Sequence, residues 1–274
     1  MLELPESTTV ARQIAETFEG RKVAFVEAAH TPHGFAFYSH DADAYPNLLV
    51  GKTLDTCEAA GGIVDVTVGD VHLAFNDGTN VRFVEAGGAL PKKYQFYLRF
   101  DDGGGIVCSV QMYGGMMLYE NGVTDNFYYN VARTLPSPLT DAFDKPYFDA
   151  LVAKADPKLS AKALLATEQR IPGLGNGVLQ DILFNAGVHP QKKLRDMDRS
   201  NIDALFASVK TTLAAMTAQG GRDTDKDFFG KPGGYATILS AKTKERPCPH
   251  CGGPITRKAF LGGNVYFCPV CQPL

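Results

Sequence analysis

Cys248-Pro-His-Cys251 and Cys268-Pro-Val-Cys271 close the chain, with sixteen residues between the two pairs. Each Cys-x-x-Cys knuckle directs two sulfurs to one ion, so the doubled pattern is typical of a tetrahedral four-thiolate site. It predicts structural zinc bound by Cys248, Cys251, Cys268 and Cys271, because four protein thiolates leave no open position for water or substrate. Two disulfides or free surface thiols are the alternatives, and the knuckle spacing disfavours both.

The segment between the knuckles has the pattern of a β-hairpin. Apolar-rich runs at residues 255–260 and 265–267 flank Gly262-Gly263, where glycines favour a turn. A ribbon of this size has almost no apolar core, so the metal supplies much of its folding free energy. The hairpin tip is then available to contact a partner.

Length and composition indicate a soluble protein of two domains plus the ribbon. The chain has 274 residues, 45% hydrophobic content and no long apolar run. Its opening residues lack the basic region and apolar core of a secretory signal. Cys57 and Cys108 are isolated in sequence and are expected to be reduced. These features predict an intracellular protein, cytoplasmic by default.

Charge is distributed unevenly along the chain. The net charge is −3, but residues 1–146 carry 10 Lys and Arg against 19 Asp and Glu, a net charge of −9. Residues 147–274 carry 17 against 11, a net charge of +6. A basic C-terminal half fits a DNA-facing surface, and ordinary solvated charge is an equally good explanation.

An amphipathic helix is predicted over residues 4–20, opened by Pro5 and ended by Gly20. Glu3 and Glu6 lie at its N-terminus, where the helix dipole favours carboxylates. Capping charge therefore explains both residues without a catalytic role.

Residues 22–132 then change to short β-type runs separated by turn signals, which predicts a sandwich or barrel. The runs are at residues 22–26, 35–38, 63–68, 72–75, 80–84, 94–100 and 106–110, and turns are expected at 76–79 and 101–105. Three prolines at residues 134–146 indicate a linker.

Helical periodicity returns after the linker. Helices are predicted over residues 156–170 and 177–187 and around the apolar face of residues 202–216. Residues 220–234 form a glycine-rich, charged segment without periodicity, and so long a loop is usually functional or disordered.

The order of these elements resembles the formamidopyrimidine-DNA glycosylase / endonuclease VIII family from end to end. Five stretches are similar to the family's motifs: Glu3-Leu-Pro-Glu6, Gly51-Lys52, residues 171–190 with Gly173-Leu-Gly-Asn176 and His189-Pro190, Gly220-Gly-Arg-Asp, and Phe267 to Gln272. Residues 171–190 and the zinc finger are the specific ones. The first two stretches are short, and they support the resemblance mainly because they occur in the same order as the family's motifs.

The resemblance implies an α+β fold: an N-terminal β-sandwich with flanking helices, a helical helix–two-turn–helix domain and a four-cysteine zinc ribbon. The implied boundaries are a sandwich at 1–133, a linker at 134–146, a DNA-binding domain with its lesion-recognition loop at 147–235, and a zinc finger at 236–274. The expected partner is double-stranded DNA containing a damaged base or abasic site, bound by a monomer.

The resemblance also implies excision of oxidised bases and strand nicking at abasic sites through a Schiff base. The amine of Met1 is the expected nucleophile, and an α-amino group with a pKa of ~7.7–8.0 is partly neutral at cell pH. Glu3 would protonate the opening sugar, Glu6 would line the same pocket, and Lys52 would contact DNA near the lesion. The alternative for Lys52 is a solvent-exposed lysine at the end of a strand, which is the more common role of such a residue.

DNA contacts are expected at Lys52, Phe75, Gln111, Tyr113, Gly175, Asn176, Arg222, Arg257 and Lys258. Backbone amides at residues 173–176, beside a helix N-terminus, can hold a phosphate, and Asn176 adds a side-chain donor. A tight interhelical turn is the alternative for this segment. Phe75, Gln111 and Tyr113 would fill the gap left by an everted base, and core or cross-strand packing is the alternative for the two aromatic residues.

The sequence departs from the family pattern in three places. Leu2 stands where the family usually exposes a proline after Met removal, so Met1 is expected to stay. The Met1 amine can still react, Lys52 can substitute for it, or the protein binds damaged DNA without efficient turnover. Gly263 replaces a usual arginine of the ribbon, and the usual gap-filling arginine is also replaced. An unrelated zinc-ribbon protein acting on RNA or a protein partner is a further alternative, and it requires the match at residues 171–190 to be coincidental.

Overall fold

The computed structural model describes residues 2–76 and 78–274, so Met1 lies outside the described residues. The helices are α1 (Leu4–Phe18), α2 (Ala44–Leu49), α3 (Phe127–Thr134), α4 (Lys145–Lys154), α5 (Ala161–Ala166), α6 (Asn176–Asn185) and α7 (Arg199–Ala218), with a short 3-10 turn at Leu194–Asp196. The strands are β1 (Val23–Ala28), β2 (Ala36–Tyr38), β3 (Leu54–Ala60), β4 (Ile63–Val68), β5 (Val71–Phe75), β6 (Thr79–Val84), β7 (Phe96–Phe100), β8 (Gly105–Val110), β9 (Gly114–Glu120), β10 (Thr256–Phe260) and β11 (Gly263–Phe267). None of the described helices is both long enough and apolar enough to span a membrane.

The N-terminal half is a β-sandwich, as predicted. One sheet has the strand order β1-β7-β8-β6 and the other β2-β9-β5-β4-β3, and β2 with β9 is a parallel pair. Successive side chains of a strand point to opposite faces. Val71, Leu73 and Phe75 of β5 accordingly face the core between the sheets, and His72 faces outward. Helix α1 adds Val10, Ile14 and Phe18 to the same core.

The C-terminal half packs helices around a second apolar core. Leu179 and Ile182 of α6 meet Leu205 and Val209 of α7 there, and all four are buried. The helix predicted over residues 156–170 is shorter than expected, since only Ala161–Ala166 is α-helical. Ser160 caps its start, and Glu168 and Gln169 have positive φ angles of 56° and 52°, which end the helical backbone.

Several helices and strands were not predicted from the sequence. Helix α4 begins at Lys145, inside the predicted linker, where the Asp144 side chain accepts a hydrogen bond from the Tyr147 amide at 2.8 Å. Helices α2 and α3 and strands β3 and β9 were likewise not predicted, because short elements with mixed polarity lack a clear period. The four domain boundaries stay predictions.

The long segment at residues 220–234 is ordered against the sandwich. Phe228 is fully buried there and packs edge-on against Phe18 and Phe83, with ring centroids 6.3 and 5.8 Å away. The Phe83 amide also donates a 2.9 Å hydrogen bond to the Phe228 carbonyl. A loop of the C-terminal half therefore contributes to the N-terminal core.

Candidate active site and nucleic-acid interface

Glu3 joins the two halves at the start of the chain. Its carboxylate oxygens accept hydrogen bonds from the backbone amides of Gly177, at 2.8 Å, and Val178, at 2.7 Å. These amides belong to the first turn of α6, which has no intrahelical partner for them and favours negative charge. Glu3 is buried, so the carboxylate is fixed at the helix N-terminus.

Glu6 lies one turn along α1 and holds the loop at residues 220–234. Its oxygens accept hydrogen bonds from Nε and one terminal nitrogen of Arg222, both at 2.9 Å, and from the Arg222 backbone amide at 3.0 Å. Arg222 also lies 3.4 Å from a Glu3 oxygen and 3.2 Å from an Asp225 oxygen. One guanidinium thus bridges three carboxylates.

Burial and charge act in opposite directions in this cluster. Burial is the largest effect on Glu3 and raises the pKa of its carboxyl group, the Arg222 charge opposes it, and the Glu6 charge adds to it. For Arg222, burial alone would lower the pKa, but the Glu3 and Glu6 charges outweigh burial and raise it. Arg222 therefore stays cationic, and the raised pKa of Glu3 favours the neutral form of its carboxyl group.

Glycines bring the backbone of both halves into contact beside Glu3. The turn Gly61–Gly62, between β3 and β4, abuts Gly173, and a Cβ atom on Gly173 would lie 2.5 Å from the Gly61 carbonyl carbon. A Cβ atom on Gly62 would lie 3.0 Å from the backbone oxygen of Leu2. Leu2 is buried, and the Leu4 amide donates a 2.9 Å hydrogen bond to the Gly173 carbonyl.

Lys52 lies apart from this site, and its predicted catalytic and DNA-contact roles stay predictions. It lies just before β3, while Gly61 follows the other end of that seven-residue strand. At ~3.3 Å per residue the two ends of β3 are ~20 Å apart. The Lys52 ammonium is paired with Asp70 instead.

Phe75 has the core packing that was the alternative to its predicted place in a DNA gap. The side chain is fully buried between the sheets, 5.8 Å from the Phe96 ring. The alternation of Val71, Leu73 and Phe75 was the sequence signal for this inward orientation. Gln111 and Tyr113 are exposed in the connection between β8 and β9, so both are accessible to a ligand.

Arg222, a predicted DNA contact, is buried among carboxylates. The residue is only 4% exposed and is satisfied by carboxylates, so its guanidinium has no face free for a phosphate. Gly175 is the N-cap of α6, and a Cβ atom there would lie 2.5 Å from a Glu3 oxygen. Its observed role is to leave room for Glu3.

Asn176 lies between α5 and the ribbon hairpin. Its side chain accepts a hydrogen bond from the Lys162 ammonium at 2.7 Å and donates one to the Asn264 carbonyl at 3.0 Å. Lys162 is almost entirely buried and also donates to the Phe260 carbonyl at 2.7 Å. Arg257 and Lys258 are exposed on β10, which leaves both cations available to solvent or a polyanion.

The four cysteines of the knuckles converge as predicted. Their sulfurs lie within 4.8 Å of one another, with Cys248 and Cys271 3.7 Å apart and Cys251 and Cys268 3.5 Å apart. Tetrahedral zinc with Zn–S bonds of ~2.3 Å separates its sulfurs by ~3.8 Å, so the donor set fits the ion. This is a structural zinc centre, and β10 and β11 form the predicted hairpin between the knuckles.

The ribbon is attached to the helical domain by side chains that sequence reasoning did not single out. Gln180 accepts a hydrogen bond from the Tyr266 amide at 3.0 Å, and Gln272 donates one to the Val188 carbonyl at 2.9 Å. Buried Asp181 accepts hydrogen bonds from the Ile238 and Leu239 amides. Only the presence of polar residues within an apolar helical pattern could have indicated such contacts.

Two family models match the C-terminal part of the chain. The formamidopyrimidine-DNA glycosylase H2TH domain matches residues 135–227, and the zinc finger found in FPG and IleRS matches residues 246–274. A formamidopyrimidine-DNA glycosylase from Vibrio cholerae is 33% identical over 153 residues, 54% of this chain and 55% of that protein. The match thus spans about half the length of that relative. One from Salinispora arenicola is 26% identical over 100% of this chain and 96% of its own.

Solved structures of the same kind are similar over nearly the whole fold. MutM (Fpg) from Thermus thermophilus superposes with a TM-score of 0.81 at 24% identity, covering 98% of each chain. Lactococcus lactis Fpg in complex with DNA containing an oxidised pyrimidine gives 0.85 at 25% identity, covering 99% of this chain and 100% of its own. The two domain matches, the zinc centre and the fold thus make the chain similar to formamidopyrimidine-DNA glycosylases over nearly its whole length.

Proposed function

We propose that the chain recognises oxidised bases in double-stranded DNA, excises them and nicks the strand at the resulting abasic site. The observation that carries the proposal is Glu3, a buried carboxyl group with a raised pKa held beside the chain's start, where the two halves meet. The substrate class rests on the relatives, which are named formamidopyrimidine-DNA glycosylases, and on a neighbour bound to DNA with an oxidised pyrimidine.

In the proposed reaction the neutral α-amino group attacks C1′ of the damaged nucleotide. The glycosidic bond breaks, and the base leaves with that electron pair and a proton. As the amine loses a proton and the ring C1′–O4′ bond opens, Glu3 supplies a proton to the ring oxygen and a Schiff base remains. Loss of a 2′ proton then breaks the C3′–O bond and nicks the strand.

The two glutamates have different proposed roles. Glu6 accepts three hydrogen bonds from Arg222 and thereby orders the loop at residues 220–234. Glu3 acts as the acid, because burial favours its neutral form. The proton-donating form is lost as pH rises through this raised pKa, so excision should slow on the alkaline side.

Five side chains are proposed to contact DNA. Asn176, braced by Lys162 and the ribbon, would meet a phosphate, and exposed Arg257 and Lys258 would add charge beside it. Tyr113 would stack where a base has been everted, with Gln111 next to it. The proposed setting is the cytoplasm, at the nucleoid in a bacterial cell, with the protein acting as a monomer.

The second candidate is a damaged-DNA binder that turns over poorly. Leu2 in place of the family's proline favours it, and so does the absence of Lys52 from the site, since that removes the substitute nucleophile. Covalent attack needs an approach of ~3–3.5 Å, which a displaced amine can miss. Recognition would persist, because the ribbon and Asn176 do not depend on the amine.

Borohydride trapping on an abasic-site duplex, followed by peptide mapping, separates the candidates. The glycosylase proposal expects a crosslink in the N-terminal peptide, unchanged in Lys52→Met. Glu3→Gln should lower excision by ~10²-fold or more with lesion binding within a few-fold. Glu16→Gln, an exposed glutamate on the same helix, is the matched control and should behave as the native chain. A crosslink to an internal lysine, or tight lesion binding without any crosslink, would overturn the proposal.

A further inference from the structure

Four large apolar side chains lie exposed at one edge of the sandwich, and we call them the aromatic rim. They are Phe35, Phe37, Met112 and Tyr113, with exposed fractions of 63%, 47%, 69% and 42%. Contiguous exposed apolar groups of this size mark interaction sites more often than isolated ones do. These side chains lie outside the buried core of the sandwich, which favours a role in binding.

Strand pairing places Phe35 and Phe37 beside the start of β9, which directly follows Met112 and Tyr113 in the chain. β2 runs parallel to β9, with Ala36 opposite Gly114 and Phe37 opposite Gly115, and the Gly114 amide donates to the Phe35 carbonyl at 3.0 Å. Ala36 packs against the core, so its neighbours Phe35 and Phe37 face outward.

The rim is on the end of the sandwich that carries Glu3. Phe75 at the end of β5 pairs with Met116 of β9 and with Val64 of β4. Val64 is two residues from Gly62, which abuts Leu2. The aromatic rim and the Gly61–Gly62 turn therefore lie at the same end of this sheet, with β5 and β4 between β9 and β3.

Charge identifies the part of DNA that fits the rim. Residues 1–146 carry a net charge of −9, which disfavours close contact with phosphates. The rim itself has no charged side chain among its four members. Aromatic rings stack on the faces of bases, which are neutral and are exposed only where the duplex is unpaired.

We propose that the aromatic rim is a stacking platform for unpaired nucleobases, so that the protein binds lesions in locally melted or single-stranded DNA more tightly than in paired duplex. The inference rests on the proposed DNA-binding function and deepens it by naming a substrate class. Phe35 and Phe37 extend the single stacking position expected at Tyr113. Their contribution is sequence-tolerant, because every base has a stacking face.

The test compares two probes that share a non-cleavable abasic analogue, one in a fully paired duplex and one inside a short bubble, with an intact duplex as the reference. Fluorescence anisotropy of the native chain, Phe35→Ala/Phe37→Ala and Phe25→Ala gives the affinities over a salt series. Phe25 is the matched control because it is also partly exposed, at 41%, but lies on the other sheet.

The double variant is expected to bind the bubble about tenfold more weakly and the paired duplex within twofold of the native chain. The slope of affinity against salt should not change, since stacking releases no counterions. Phe25→Ala should match the native chain on both probes, and the thermal midpoints of all three proteins should agree.

Equal losses on both probes, a changed salt slope, or no loss on the bubble would overturn the platform. Unchanged DNA binding with altered sedimentation of the double variant would identify a second copy of the chain as the occupant, and also overturns it. If the native chain binds neither lesion probe better than intact duplex, the proposed function itself fails. If the native chain binds the paired lesion probe tightly and the bubble probe no more tightly, the stacking platform is rejected and the proposed function is not.

Discussion

Gly177 is the position where a single added carbon should disrupt the cluster that links the two halves. A Cβ atom there would lie 1.7 Å from a terminal nitrogen of Arg222, 2.8 Å from its Cζ and 3.0 Å from a Glu3 oxygen. The guanidinium has nowhere to move, because it is buried and holds Glu6 through two 2.9 Å hydrogen bonds. We therefore expect Gly177→Ala to break this arrangement.

The expected magnitude follows from two opposing effects. Breaking a buried ion pair costs ~3–5 kcal/mol of unfolding free energy. Replacing glycine by alanine inside a helix contributes ~1 kcal/mol in the other direction. Gly177→Ala should then destabilise the protein by ~2–4 kcal/mol, a large part of a typical total of ~5–15 kcal/mol. An unhindered helical glycine would give the opposite sign.

A double-mutant cycle with Arg222→Ala tests the cause. In the Arg222→Ala background the main clash is gone, so Gly177→Ala should be neutral or stabilise by up to ~1 kcal/mol. Urea unfolding followed by far-UV circular dichroism is suitable, because the chain has no tryptophan. The reasoning is refuted if Gly177→Ala raises stability in the native background, or if its effect is the same in both.

Three further outcomes are expected. Burial raises the pKa of Asp181 to about 6, so its ionisation costs the folded state stability as pH rises above the ordinary value of ~3.9. Relative to the native chain, Asp181→Asn should gain ~2 kcal/mol of unfolding free energy between pH 4.5 and 6.5, and urea midpoints with equal pH slopes would contradict this. Cys268→Ser should lose bound zinc in a metal-release assay and lose affinity for DNA, with the β-sandwich spectrum retained; full zinc occupancy would argue against a four-thiolate centre. Phe228→Ala should cost ~3–5 kcal/mol and expose the loop at residues 220–234 to limited proteolysis, while unchanged cleavage would show that this ring does not anchor the loop.

The amino-acid sequence by itself determined the features that depend on local spacing. The knuckles lie close together along the chain, so their chemistry follows from residue type and separation. The long helices α1, α6 and α7 have a strong period with glycine or proline at an end, and the strands of the sandwich have turns between them. The orientation of the Phe75 side chain is also a feature of local spacing, because the alternation along β5 places it on the core side.

The tertiary structure alone decided which charged groups act together. Arg222 is a plausible phosphate contact in sequence, but its partner Glu6 is 216 positions away and takes up the guanidinium. Lys52 is adjacent to a strand in sequence, and the length and direction of β3 separate it from the site. Electrostatic partners and the placement of strand ends depend on how distant segments pack, which no local period encodes. The site at Glu3 is therefore a product of packing between α1, α6 and the loop at residues 220–234.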